Sequence, residues 1–431
     1  METWNVSKLF SRGGLVSSTS NGKVYSPLTR LVSSNCAVYS DHIAVDFGDS
    51  YTRVAVMEGR SAKIIDTSPS VVAFNEKGEI LFGTKAKHRG VTHPGSTIYG
   101  INRLMGRKFD DPIVQNEMKR VSYNIVKGPD GDACIEVYGN VYSPFIIREK
   151  IMTNIKKTAE SYVGEPVCKA IISIPPACTE DNNTVRKERE TSETSELHVQ
   201  VHLYDGICPV ISSNLIKKEG LVAILNMGGR TFGASVLEIT NHSREWKSKK
   251  YDMFLGGEDF DNALMEYLMS EFKKSEEIDL KNDHVAIQRL RAASEKAKME
   301  LSYLSETEVN LPYIASAAIG AKHLNVTVSR STFERLVDDL IKRVRSACES
   351  CLHEAGITGS EVDEVLLVGG MSRVPKLRTT VAEIFGKSPR RIRNPDEVVA
   401  LGAAAAIQEG GLPEDTWKQF EELAAVCFLH S

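Results

Sequence analysis

No stretch of the 431-residue chain approaches the about 18 consecutive apolar residues that a bilayer-spanning helix requires, so no segment is expected to cross a membrane. Charge of one sign is also missing. Lysine and arginine nearly balance aspartate and glutamate, leaving a net charge of -4, which gives neither nucleic acid nor a membrane surface a reason to be the main partner. Cysteine is sparse and scattered: Cys36, Cys134, Cys168, Cys178, Cys208, Cys348, Cys351 and Cys427 do not frame a small disulfide scaffold, and a reducing compartment suits them best. Cys348 and Cys351 form a lone C-x-x-C in a helical pattern, two ligands short of the four that a structural zinc site needs.

What is present is globular composition, 42% hydrophobic and 26% charged, in a chain long enough for two or more packed lobes. Residues 1–40 stand apart. They carry Lys8, Arg12, Lys23 and Arg30 against the single acid Glu2 and are rich in serine and glycine, the composition of an organellar transit peptide. Residues 177–196 depart in another way, with hardly an apolar side chain beyond Val185, so this stretch is expected to be loosely held.

Three segments share a design of an apolar strand followed by a tight glycine turn: 43–59, 221–239 and 362–377. The first two read as strand-turn-strand hairpins related as an internal repeat, the third as strand-turn-helix. Glycine turns let backbone N–H groups gather around a polyanion, and three of them at these separations suit a cleft between two similar lobes that holds phosphate. Between 258 and 351 the chain reads as mostly helical, with a strand pair at about 307–314 and 323–330 and a further amphipathic helix at about 331–355. Glu295, Lys298 and Ser302 fall at i, i+3 and i+7 of a helix, a polar stripe that either meets a ligand or is a solvated face.

Several longer motifs carry a resemblance. LGGEDFDN (255–262), RLRAASEKAKMELS (289–302), VNLPYI (309–314), VLLVGGMSRVPKL (365–377), NPDEVVALGAAAAIQ (394–408), VTHPGSTIYGINRLMGRKF (91–109) and LFGTKAKHRG (81–90) are similar, in order, to segments of the 70-kDa heat-shock (DnaK-type chaperone) family, over about residues 42–410. The resemblance implies an α/β, actin-like ATPase fold. Lobe I would span 41–218 with an outer subdomain at about 76–146, and lobe II 219–412 with one at about 258–333. A helical tail over 413–431 would replace the family's peptide-binding domain, leaving no peptide cleft. The resemblance also favours a mitochondrial matrix location, with plastid or cytoplasm as alternatives.

The family pattern implies ATP or ADP, Mg2+ and K+ in the cleft. Adenosine would meet Glu295, Lys298, Ser302, Gly369, Gly370, Arg373 and Asp396. The phosphates would meet Gly48, Ser50 and Tyr51 of the first loop, Gly228, Gly229 and Thr231 of the second, and Gly256 and Gly257 of the third. Asp46 maps to the aspartate near the metal, Lys87 to the lysine that steers the attacking water, and Asp205 to the catalytic glutamate. Nucleotide-exchange factors and J-domain co-chaperones are the implied partners.

Departures cluster where hydrolysis occurs. Asp49 stands where the family loop has a threonine, and like charges about 4 Å apart at an effective dielectric near 20 repel by roughly 4 kcal/mol. Asn226 and Gly233 replace two carboxylates, Arg230 replaces a glycine, and Asn183 aligns with a relaying arginine. The family's I-P-A-Y-F reads Ile174-Pro175-Pro176-Ala177-Cys178. Arg230 is open to two readings, a clamp on phosphate or a plug in the loop. Three functional readings follow: an active ATPase actuator, a pseudo-enzyme adaptor, and a drifting paralogue without a role.

Overall fold

Strand β1 (His42–Phe47) is the first described element, a run in which four of six side chains are buried on both faces, the pattern of a central strand. The structure is a computed structural model and describes residues 42–174, 197–204, 206–215, 218–241, 243–317 and 320–406. The expectations for 1–40, 177–196 and 413–431, and for Asn183 and Asp205, lie outside the described residues.

In the first lobe, β1, β2 (Tyr51–Glu58), β3 (Ser61–Pro69), β4 (Lys169–Ile174) and β5 (His198–Tyr204) form one sheet in the order β5-β4-β1-β2-β3. The β1-β2-β3 meander is antiparallel, while β4 and β5 run parallel to β1 and to one another. Helix α1 (Gly83–Gly90) and two three-stranded sheets lie between β3 and β4 and make the outer part of the lobe. Helix α2 (Pro144–Val163) returns the chain to the sheet. Its start is set by Ser143, whose hydroxyl accepts from the Ile146 N–H, with Pro144 at the first helical position, and its end by left-handed Gly164.

The second lobe repeats the plan. Strands β6 (Gly220–Met227), β7 (Phe232–Ile239), β8 (Arg244–Asp252) and β9 (Glu364–Val368) form a sheet in the order β8-β7-β6-β9, again an antiparallel meander with a parallel strand added beside its first member. A single parallel bridge between Leu366 and Arg390 sits where the first lobe has its fifth strand. Helices α3 (Gly257–Glu276) and α4 (His284–Leu301) pack on the long hairpin of Glu306–Ala317 and Gly320–Ser329 as the outer part. The helix expected over 331–355 is broken at Val337 into Arg330–Leu336 and α5 (Asp338–Ala355). The strand at Glu364–Val368 is followed by a turn and α6 (Pro375–Phe385), so all three glycine turns take their expected forms.

Alternation along the central strands decides which core each side chain enters. Ile43, Val45 and Phe47 of β1 belong to the first lobe's own core, and Ala223, Leu225 and Met227 of β6 to the second's. Ala44 of β1, with Val222 and Ile224 of β6, faces a third core shared by the two sheets. Helix α7 (Val398–Ala405), almost entirely apolar, fills that shared core against the short helix Ile207–Ser212. Cys348 and Cys351 are buried in the second lobe's core, where the Cys351 thiol donates to the Ala234 carbonyl at 3.4 Å.

Candidate functional site

The carboxyl ends of β1, β6 and β9 open into one cleft of about 680 Å³ between the lobes. Its lining includes Asp46, Gly48, Ser50, Tyr51, Lys87, Gly228, Gly229, Thr231, Gly257, Glu295, Lys298, Ser302, Gly369, Gly370, Arg373 and Asp396, drawn from seven separate segments of the sequence. Gly256 alone among the described candidates lies off the wall. A Cβ there would come within 2.4 Å of the Arg230 backbone nitrogen, so its place is to let the third loop lie on the second.

One side of the cleft is built on α4. Asp283 caps it by accepting from the N–H groups of Val285 and Ala286, which sets the helix phase so that Glu295, Lys298 and Ser302 face inward together. The stripe is thus cleft wall, not solvated surface. Lys298 is buried, donating to Asp261 at 2.8 Å and to the Gly257 carbonyl at 3.0 Å, which ties α4 to the start of α3. Burial outweighs the attraction of Lys298 on Asp261 and pushes that carboxyl up to about 6. Opposite, Arg373 donates to Asp396 at 2.7 Å.

The glycine loops pack on one another. The N–H groups of Gly257 and Glu258, at the start of α3, donate to the carbonyls of Gly228 and Gly229 at 3.0 and 2.7 Å. Those donors are therefore used in joining the second and third loops. Asp46 is half-buried and accepts from the Ser173 hydroxyl at 2.8 Å, while Arg53 lies 3.8 Å from its other oxygen. Burial raises the Asp46 carboxyl, and Arg53 and the Ser173 hydroxyl offset part of the rise. Arg53 also lies 3.6 Å from Asp396, so Asp46, Arg53, Asp396 and Arg373 form a row of alternating charge along the cleft. Asp49 adds a buried oxygen, Oδ1, with no hydrogen-bond partner among the described residues.

Lys87 stands at the mouth. Its ammonium donates to Glu295 at 2.9 Å from the other side of the cleft, and among the described residues it makes no hydrogen bond to the second or third glycine loop. The polar side chain beneath the first loop is instead Asn102, which donates to the Phe47 carbonyl at 3.1 Å and accepts from Arg148 at 3.3 Å. Reasoning from the sequence passed over Asn102 and Arg53. The available signal for Arg53 was a charged residue on a strand whose next four members are apolar or buried.

Arg230 follows neither of the readings open to it. Its guanidinium leaves the phosphate loop and enters the seam between the lobes, 2.6 Å from Glu117 and 2.7 Å from Glu258. Arg103 completes the group, bonding Glu117 at 2.8 Å and the Arg230 carbonyl at 2.6 Å. Gly100, at φ 67°, makes the room, since a Cβ there would lie 1.5 Å from an Arg230 nitrogen. Two guanidinium and two carboxylate groups thus neutralise one another in a buried site. The two acids hold Arg230 firmly in its charged form despite burial, and Arg230 in turn keeps Glu258 below the usual carboxylate range.

Comparison with known sequences places this architecture. A family model described as "Hsp70 protein" matches residues 42–417. The mitochondrial heat shock 70 kDa protein of Pisum sativum is 49% identical over 391 residues, covering 89% of this chain and 57% of that protein. The corresponding protein of Solanum tuberosum is 49% identical over 397 residues, covering 91% and 57%. The chain therefore spans a little over half the length of these relatives. Two similar lobes around a cleft lined by three glycine turns, with this match over nearly all the described residues, show that the chain belongs to the 70-kDa heat-shock protein family and carries its nucleotide-binding domain in the actin-like ATPase fold.

Proposed function

We propose that this protein is a mitochondrial, adenine-nucleotide-binding member of the chaperone system in which hydrolysis of ATP is close to background. The observation that carries the proposal is the state of the metal-facing positions. Asp46 has one oxygen engaged by Ser173 and the other facing Arg53, and the paired positions Asn226 and Gly233, aligned on β6 and β7, bear no carboxylate. The family binds magnesium and potassium with its nucleotide, but Asp49 Oδ1 is the one unengaged carboxylate oxygen at these described positions, which does not make the donor set of a metal that requires several oxygen ligands in fixed octahedral order.

The chain's own residues support binding. Glu295, Lys298, Ser302, Gly370 and Arg373 line one end of the cleft and supply a polar helix face, a close-approach backbone and a planar cation for a nucleoside. Lys87 acts across the mouth as a tie to Glu295, a positioning role in place of the catalytic one that the family pattern implies. Exchange factors and J-domain proteins are the partners such an adaptor would engage.

Phosphoryl transfer depends on charge arranged around the departing group, so loss of two carboxylates and gain of Asp49 raise the barrier by several kcal/mol, each ~1.4 kcal/mol being tenfold in rate. The test is restoration. The triple variant Asn226→Asp, Gly233→Asp, Asp49→Thr, which leaves the buried Arg230 group intact, is expected to hydrolyse ATP at least about tenfold faster than the parent. Robust magnesium-dependent turnover by the parent chain, abolished by Lys87→Ala, would favour an active ATPase, a reading to which the intact nucleoside end of the cleft also lends support.

A further inference from the structure

Arg53 is a cation of this cleft that, among the described residues, makes only long ion pairs and a ring contact with Tyr51 at 5.7 Å. It points from β2 into the space between the phosphate loops and the nucleoside end, with its side chain only 13% exposed. Its contacts to Asp46 and Asp396, at 3.8 and 3.6 Å, are ion pairs beyond hydrogen-bond reach, and its Nε is buried without an acceptor among the described residues. A buried guanidinium carries five donors, and leaving them unpaired is costly unless a ligand accepts them. Most other cationic groups around the cleft hold closer partners: Lys298 bonds Asp261 and Gly257, Lys87 bonds Glu295, Arg373 bonds Asp396, and Arg230 is paired with Glu117 and Glu258, while Arg291, whose Nε also lacks an acceptor among the described residues, donates to the Tyr99 hydroxyl at 3.3 Å.

Resting on the nucleotide-binding reading above, we infer that Arg53 is the phosphate ligand of this cleft, and that it replaces a divalent cation, so that adenine nucleotides bind without metal. The guanidinium fork matches the oxygens of a phosphate in plane and spacing, and a charge-assisted bond to it is about twice as strong as a neutral one. Its position beside Asp46 gives it the place where a metal would offset that carboxylate, and the charge it brings is permanent. Asp49 sets the limit on the ligand. Its unpartnered oxygen in the first loop is adverse to a long phosphate chain, which makes a nucleoside monophosphate or diphosphate the preferred class over a triphosphate.

The experiment is calorimetric titration of the full chain with adenosine, AMP, ADP and ATP, each in magnesium and in EDTA, repeated on Arg53→Met. Met keeps an unbranched apolar stem of similar reach and removes the charge. For the parent, ADP affinity is expected to change less than about threefold on chelation, and Arg53→Met is expected to weaken AMP and ADP at least about tenfold in EDTA while adenosine binds as before. A loss of about tenfold or more for ADP when metal is removed from the parent would overturn the inference and assign the charge to a metal, with Asp49 as its open ligand. An equal loss for adenosine and ADP in Arg53→Met would overturn it differently, showing a structural role for the side chain. Failure of adenosine itself to bind the parent would strike at the nucleotide-binding reading beneath, and the inference would fall with it.

Discussion

Asp261 shows how one buried acid can leave a mark on stability. Its carboxyl sits beside Lys298 in a wall of the cleft, and burial holds its pKa at about 6, above the 3.8 of an exposed aspartate. Between those values the folded chain binds a proton that the unfolded chain has released, so the contribution of this group to stability falls as pH rises through that window. Urea midpoints measured from pH 4.5 to 7, relative to Asp261→Asn, are expected to show the parent losing ground toward pH 6. Parallel profiles for the two proteins would contradict the assignment. Arg53 belongs to the same scale: it is a single side chain whose significance comes from the groups around it.

At the scale of elements, α7 illustrates why an apolar segment adopts one position. The sequence VVALGAAA is small-residue rich, and it lies between the two inner sheets and against the helix Ile207–Ser212. Gly402 is at the crossing, where a Cβ would fall 2.0 Å from the Cys208 carbonyl oxygen. Helix propensity alone favours Gly402→Ala by roughly 1 kcal/mol, whereas overpacking of a core costs about 1–3 kcal/mol and cannot here be relieved by moving a side chain, because the obstacle is backbone. The variant is therefore expected to be destabilised, with its denaturant midpoint lowered. A midpoint raised above the parent's would mean that the helices separate more readily than this packing implies. The break at Val337 separates two packing partners: Arg330–Leu336 lies against the outer hairpin, whereas α5 lies against β8 and β7.

For the whole molecule, the two lobes are joined by the shared apolar core below and by the Arg230 group in the seam. Replacing a buried ion cluster by well-packed apolar groups can be neutral, but removing one member leaves its partners charged and unpaired at a cost of about 3–5 kcal/mol. Arg230→Met strips Glu258 of its partner while Arg103 still holds Glu117, so it is expected to destabilise toward the lower end of that range, about 3 kcal/mol. It is also expected to speed hydrogen exchange in the strand Thr97–Tyr99 and the turn Ile101–Arg103, which form the facing side. Exchange confined to the parental rate in both segments would show that the lobes are held without this contact.

The pattern left open whether the face of Glu295, Lys298 and Ser302 meets the cleft or solvent, but the repeat of glycine turns, most helices of the second lobe, and that shared helix face could be read from the chain, because each is a local pattern whose period or turn chemistry is set within a few residues. The same holds for the absences at Asn226 and Gly233, where residue type alone removes a carboxylate. Tertiary structure decided where the charges went. Arg230 could not be assigned between clamp and plug, because its partners Glu117 and Glu258 come from remote segments and only the approach of the lobes at Gly100 creates their site. Lys87 met Glu295, and Arg53 came to lie between Asp46 and Asp396, for the same reason. Backbone pattern is a property of neighbours in sequence, whereas the electrostatics of a cleft is a property of neighbours in space, and long side chains select their partners only after the walls are in place.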